Sequence, residues 1–440
     1  FTANNLLMYP NLYYVFKDIF GVEWNFLRVA NTFGVFVAIS FIIAAIVLAA
    51  ELKRKGKEGL LQPTEINIVV GKPASLTELI LNFLMGFIFG YKFIGLFLMG
   101  NAATSDPPAF IFSSLGSWPA GIILGLAFAG VKWWEKNKQK LPRPEERKIR
   151  FWPHDRVGEI VILGLIFGLI GAKIFDFFEN WDDFIKNPSE YIFSPAGLTY
   201  YGGLIFAAVA IWLYARKYKI GFWHLNDAAA PALMLSYGTG RIGCQLAGDG
   251  DWGIYNSAFQ VSNHGVISSA ATIEDFKNTI LLNPSYYQSH FGSVVKVPNA
   301  FFPKPGFLNF LPDWVFAYNY PHNVNESGFP LADCAGKYCN QLPIPVFPTP
   351  FYETLMCLAL FGVIWMFRKR FKIPGTLFAF YLILNGVERF FIEKIRVNTH
   401  LNFFGFLPTQ AEVISTLLVI SGIILWIILT RRNKMISTPN

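Results

Sequence analysis

Two arginines, Arg241 and Arg389, stand inside long apolar stretches, and Arg396 follows the second by about two helical turns. A guanidinium keeps its charge at any relevant pH and binds phosphate oxygens through paired, charge-assisted hydrogen bonds. Ionisable groups buried in apolar runs are costly, which marks them as functional by default. The competing explanation is structural: each Arg can snorkel to an interface, and Arg389 and Glu393, four apart on one helix face, can neutralise one another. Glycines stand around Arg241, at Gly240 and Gly243, and as Gly202-Gly203 at the start of another apolar run. Their missing side chains let a headgroup or a second helix reach the backbone. The run Gly238-Thr239-Gly240-Arg241-Ile242-Gly243-Cys244 opens no strand–turn–helix unit, so it is not a dinucleotide loop. The six histidines are scattered without metal-ligand spacing, and no metal or cofactor is expected.

The elements that must hold these side chains follow from composition. Of the 440 residues 53% are hydrophobic and 15% charged, against about 25% charged in soluble domains. A water-soluble enzyme, a disordered chain and a small disulfide scaffold are excluded. Hydropathy predicts an all-α polytopic membrane protein with about nine spans, near 30–50, 77–99, 118–134, 157–177, 199–215, 226–247, 352–367, 374–393 and 411–430. The loops sort by charge: 51–76 has five Lys/Arg, 131–156 nine, 216–224 three and 368–373 four. The alternate loop 101–117 has none, and 178–198 has one against four acids. By the positive-inside rule the N-terminus lies outside and the C-terminus in the cytoplasm. The net charge of +8 therefore reports topology, and no nucleic acid is expected as a partner. The first 25 residues read as an interfacial segment and not as a cleavable signal peptide.

This topology brings Arg241, Asp249, Arg389, Glu393, Arg396 and Lys173 to the outer ends of their spans, with Tyr201, Gly202, Gly203, Tyr352 and Glu353 at the outer starts of others. Arg28 and Asn31 precede the first span on that side. Polar groups from five or six helices thus share one depth, the outer leaflet. Residues 249–350 are too many for a connection and are expected to form an extracytoplasmic insert between spans one to six (1–248) and spans seven to nine (351–440). Cys334 and Cys339 lie in it on the oxidising face, and a disulfide and two free thiols stay equally open. Glu78, Gly90 and Lys92 recur at identical offsets as Glu159, Gly171 and Lys173, a faint echo of a duplicated hairpin.

Gly240-Arg241-Ile242-Gly243-Cys244, then Gly248-Asp249 and Trp252-Gly253, resembles the signature of the prolipoprotein diacylglyceryl transferase family. Leu198-Thr199-Tyr200-Tyr201-Gly202-Gly203 is similar to its segment ending in His-Gly-Gly. Pro348 to Glu353 is similar to its Pro-x-x-x-Tyr-Glu, and Arg389-Phe390 with Glu393 and Arg396 to its Arg-Phe-x-x-Glu-x-x-Arg. Asp227 with Pro231, Gly171 with Lys173, and Gln410 after Pro408 also fit. The chain departs from the pattern at Tyr201 (usually His), Cys244 (often Asn), Asp249 (usually Glu) and Lys173 (usually Arg), and one extra residue precedes Trp252-Gly253. The hairpin 77–134 reads as an insertion into a seven-span body.

The resemblance implies transfer of diacylglycerol from phosphatidylglycerol to the lipobox cysteine of a prolipoprotein signal peptide at the outer face of a bacterial inner membrane. Arg241 and Arg389 would then stabilise the leaving phosphate. Phosphatidylglycerol would contact Gly202, Gly203, Gly240, Gly243, Lys173, Tyr352, Glu353 and Arg396. The base stays open among Tyr201, Asp249, Glu353, Glu393 and the departing phosphate itself, because a phenol of pKa about 10 is a poor acceptor unless a cation lowers it. The main rival is a transporter or flippase for an anionic lipid or small anion, which favours a site near the bilayer midplane over one at a single leaflet.

Overall fold

Apolar runs become helices at each of the nine expected places. The computed structural model describes residues 8–99, 110–111, 113–188, 192, 199–269, 272–332, 334, 336–397 and 408–437. Leu198, His400 and parts of loops 101–117 and 178–198 lie outside the described residues. The helices used below are α1 (Leu12–Phe20), α2 (Thr32–Lys57), α3 (Leu76–Leu98), α4 (Trp118–Lys138), α5 (Val157–Glu179), α6 (Tyr200–Lys217), α7 (Phe222–Ala247), α8 (Ile273–Leu282), α9 (Pro284–Phe291), α10 (Thr349–Phe367), α11 (Thr376–Glu393) and α12 (Gln410–Ser437). Among the described residues, five helices are long and apolar enough to cross a membrane: Thr32–Lys57, Leu76–Leu98, Pro153–Glu179, Thr349–Phe367 and Gln410–Lys434.

The chain divides into two units, Phe1–Glu23 with Ala30–Val47 and Asn226–Asn440, and Trp24–Val29 with Leu48–Leu225. The second unit is built on two helix pairs in which glycine sets the approach. A Cβ on Gly90 of α3 would sit 2.2 Å from the Ala120 carbonyl of α4, and one on Gly86 would sit 2.4 Å from the Leu124 carbonyl. In the α5–α6 pair, Gly171 and Gly202 face each other's carbonyls at 2.4 Å by the same measure. Such contacts bring helices together by packing alone, as small residues do in apolar solvent. The echo noted between residues 78–92 and 159–173 therefore falls on two pairs joined in one manner. α3 starts with a capping box between Ser75 and Glu78, and α4 starts with Ser117 accepting from the Ala120 N–H.

The two most basic loops of this unit each hold a strand. β1 (Thr64–Val70) pairs antiparallel with β2 (Glu145–Phe151), in register from Thr64 opposite Phe151 to Val70 opposite Glu145.

In the first unit, α11 and α12 pack through Gly386 and Gly422. A Cβ on Gly386 would lie 2.7 Å from the Ser415 carbonyl, and one on Gly422 would lie 2.8 Å from the Ala379 carbonyl. Residues 249–350 fold with this unit as α8, α9, short turns and two-residue strands around Tyr255, Phe276, Tyr287, Tyr318, Tyr320 and Val346. The helix α8 begins with a Thr272–Asp275 capping box. Cys334 and Cys339 are joined by a disulfide.

Candidate active site

Three stretches of the first unit, 241–251, the start of α10 and 389–396, bring charged side chains together. Arg241 comes from the last two turns of α7, Glu353 from the first turns of α10, Arg389 and Glu393 from the end of α11, and Asp251 and Arg396 from the backbone beyond α7 and α11. The helix starts are set locally. Pro350 occupies the opening turn of α10, where a missing N–H costs nothing. α11 follows Gly375, whose φ of 92° requires the left-handed region. The Asp227 carboxylate of α7 caps α11 from outside, accepting from the N–H of Gly375 at 2.9 Å and of Phe378 at 3.0 Å. This buried acid satisfies donors that the helix itself cannot. It also ties the helix of Arg389 to the helix of Arg241.

The loop ends are pinned as closely. The Ile254 N–H donates to the Ile395 carbonyl at 2.9 Å, and the Gly253 N–H to the Phe347 carbonyl at 2.9 Å. A Cβ at position 253 would lie 2.6 Å from the Ile395 carbonyl, which explains a glycine after Trp252. Thr349 Oγ1 donates to the Asp251 carbonyl at 2.8 Å, fixing the acid beside the start of α10.

Glu353 is the hub. It is 0% exposed, with Arg241 Nε at 2.7 Å, Arg389 Nη1 at 3.0 Å and Arg396 Nη1 at 3.6 Å. The Tyr237 hydroxyl also donates to it, at 3.1 Å. Glu393, equally buried, holds Arg389 Nη2 at 3.1 Å and accepts from Thr409 Oγ1 at 2.7 Å. Asp251 closes the ring from the other side. It pairs with Arg241 and takes Arg396 Nη2 at 2.6 Å. Its side chain is 38% exposed, so of the three acids it alone meets the outside.

The two aspartates of the loop differ. Burial would raise both, but the guanidinium groups of Arg241 and Arg396 outweigh it at Asp251 and hold that carboxyl below its ordinary range. At Asp249 burial wins and pushes the carboxyl above its ordinary range, although it accepts a hydrogen bond from the Cys244 thiol. Cys244, Asp249 and Asp251 each offer a ligand atom within 4.8 Å of the others. Asp251 is already engaged by two arginines, and the trio does not amount to a metal site.

The remaining expected residues fall as follows. Gly243 lets α7 approach α2, since a Cβ there would lie 2.8 Å from the Phe36 Cβ, whereas a Cβ on Gly240 would meet nothing within 4 Å. The Tyr352 hydroxyl turns from the arginines and donates to the Val315 carbonyl at 2.6 Å. Lys173, Tyr201, Gly202 and Gly203 belong to the second unit. There Lys173 Nζ lies 3.8 Å from Asp176, and the Tyr201 ring stands edge-on to Tyr200 with centroids 5.6 Å apart. Gly203, like Gly202, serves helix contact, facing the Gly168 carbonyl. Arg28 is also in the second unit. Asn31 accepts from the Phe33 N–H at the start of α2.

Sequence reasoning missed three residues of the cluster. Asp251 stands two positions after Asp249, and nothing in the sequence singles it out. Tyr237 precedes Arg241 by one helical turn, the one signal that could have found it. Glu388 is 4% exposed, and neither of its oxygens accepts a hydrogen bond among the described residues.

Residues 118–428 match the family model described as prolipoprotein diacylglyceryl transferase. A phosphatidylglycerol–prolipoprotein diacylglyceryl transferase of Leptospira interrogans (serovar copenhageni) is 25% identical over 280 residues, covering 58% of this chain and 66% of that protein. This is just under two thirds of the Leptospira protein's length. The protein of that name from Clostridium novyi is 25% identical over 281 residues, covering 64% and 82%. That from Dehalococcoides mccartyi (strain 195) is 24% identical over 332 residues, covering 75% and 95%.

Proposed function

This chain belongs to the prolipoprotein diacylglyceryl transferase family, and we propose that it transfers the diacylglyceryl group of phosphatidylglycerol to the lipobox cysteine thiol of a prolipoprotein. A carbon–sulfur bond forms at the glyceryl carbon as its bond to the phosphate oxygen breaks. The bonding pair leaves on glycerol phosphate, and the thiol proton passes to a base.

The observation that carries this reading is three guanidinium groups, Arg241, Arg389 and Arg396, held around one fully buried carboxylate. Glu353 and Glu393 fix their directions in advance, so little reorganisation is needed when phosphate charge develops. Asp251 is the replaceable partner, being the exposed one and carried on a loop. The lipid phosphate takes its place between Arg241 and Arg396. For the base, Asp249 suits best: it stands outside the guanidinium pairs, and its raised carboxyl is a stronger proton acceptor than an ordinary one. Lys173, Tyr201, Gly202 and Gly203 enter the proposal through their motifs alone.

In this reading all nine helices span, with the N-terminus outside, the C-terminus in the cytoplasm and the site at the outer leaflet of a bacterial inner membrane. Three observations support it. The β1–β2 pairing ties the two most basic loops to one face. The Tyr9 N–H bonds the Leu246 carbonyl, which sets the N-terminal segment at the end of α7 near Arg241. The disulfide of the 249–350 insert suits an oxidising compartment.

The test is conversion of labelled phosphatidylglycerol in vesicles by a lipobox peptide and by the same peptide with serine for cysteine. Thioether product and glycerol phosphate in equal amounts, from the cysteine peptide only, are expected. Lipid crossing the bilayer without product would favour a transporter and sink the proposal.

A further inference from the structure

We propose that residues 301–315 form a membrane-seated loop that inserts Phe307 and Phe310 into the lipid monolayer beside the charged cluster. Prolines 303, 305 and 312 and two short 3-10 turns, Gly306–Leu308 and Asp313–Val315, shape this segment. Its apolar residues sort by direction. Leu308, Leu311 and Val315 pack inward on Phe259 and Phe316. Phe307 and Phe310 point outward, 80% and 77% exposed. Two large aromatic side chains left bare on a proline-rich loop call for a covering partner.

The partner's identity comes from where the loop is fastened. The Trp314 ring lies 5.0 Å from that of Phe351, and the Val315 carbonyl accepts from Tyr352, both in the first turn of α10. α10 is one of the five helices apolar enough to cross a membrane. One and two turns below Phe351 on the same stripe, Leu355 and Leu358 are 51% and 40% exposed, as side chains facing lipid are. The loop thus continues the lipid-facing surface of α10 past the helix end, at the depth where aromatic residues concentrate in membrane proteins. Its charges are internally matched, with Lys304 Nζ 3.0 Å from Asp313 and also donating to the Leu311 carbonyl. Its prolines present no N–H to the apolar phase. Thr349, which holds the Asp251 carbonyl, lies two residues before Phe351, so the phenylalanines enter the monolayer next to the arginine cluster.

The test places a nitroxide at Phe307→Cys or Phe310→Cys in the full chain, in vesicles containing phosphatidylglycerol. The native free thiols, Cys244 and Cys357, are buried. Collision with oxygen and with a water-soluble nickel chelate is compared with labels at Leu355→Cys, for lipid, and at the exposed polar position Asn278→Cys, for water. Positions 307 and 310 are expected to match 355, with an oxygen-to-nickel ratio several-fold above that at 278. A ratio equal to that at 278 overturns the proposal. So does a ratio that becomes lipid-like only when a lipobox peptide is added, which would make the loop a peptide dock. Neither readout depends on turnover, so the result stands apart from the transferase reading.

Discussion

Removing Glu353 should cost the protein much of its stability before any question of catalysis arises. The residue is fully buried between Arg241 Nε at 2.7 Å and Arg389 Nη1 at 3.0 Å, with Arg396 Nη1 at 3.6 Å. Glu353→Ala leaves Arg241 with Asp251, and Arg389 with Glu393, but strips both of a fully buried partner. Breaking a buried pair from one side costs about 3–5 kcal/mol, because the surviving charge stays desolvated. Against a total folding stability of about 5–15 kcal/mol, that is a large fraction. Glu353→Gln keeps the volume and an acceptor for the Tyr237 hydroxyl, and it should lose less. The assay is thermal unfolding followed by a thiol-reactive dye, since buried Cys244 and Cys357 become reactive only when the helices part. The decisive variant is Glu353→Ala with Arg389→Ala. Losing both partners should cost less than the sum of the single losses, by about 0.5–3 kcal/mol. A wild-type melting profile for Glu353→Ala, or strictly additive costs in the double variant, would refute the hub assignment.

Other perturbations test the supports of the site. Asp227→Ala removes the external cap of α11 and should destabilise by about 1–3 kcal/mol, as buried N–H groups lose a charged acceptor; unchanged melting would contradict the capping role. Gly202→Val places side-chain atoms where a Cβ alone would meet the Gly171 carbonyl at 2.4 Å, so it should disrupt the α5–α6 pair and lower the melting temperature. Asp251 has its carboxyl lowered in the folded state, so its stabilising contribution is present above the unfolded carboxylate range and is lost as pH falls through the lowered value. Melting of Asp251→Asn should lack that acid-side loss. Asp249 has the opposite sign, so ionising it weakens the fold as pH rises from the unfolded carboxylate range through its raised value. If Asp249 is the base, the acid limb of the pH–rate profile should lie above the ordinary carboxylate range, and Asp249→Asn should abolish turnover without loss of fold.

The helices were legible because their signal is long and redundant. Twenty apolar residues in a row, ended by Lys or Arg, allow few other structures, and the expected 226–247 appears as Phe222–Ala247 despite Pro231 inside it. The arginines were legible because a charge in such a run has few explanations. The exact acid opposite them was not, since Asp249 and Asp251 differ by two positions in one loop. What selects Asp251 is the bond of the Ile254 N–H to the Ile395 carbonyl and of Thr349 to the Asp251 carbonyl, about a hundred residues away or more. Glu388 was hidden by standing next to Arg389, whose more obvious partner is Glu393. The β1–β2 pair was hidden for a similar reason. Thr64–Val70 lies in a loop whose basic residues carried a topological message, and its partner Glu145–Phe151 is recognisable only once α3 and α4 fold back on each other. The 249–350 insert offered neither long runs nor strong periodicity, because its strands are two residues each.

The central claim is that Arg241 meets the phosphate that leaves, and Arg241→Ala tests it most directly. Reconstituted in vesicles with a lipobox peptide, this variant should melt as a folded protein and form no thioether product. Product at the wild-type rate would remove Arg241 from the reaction and contradict the account.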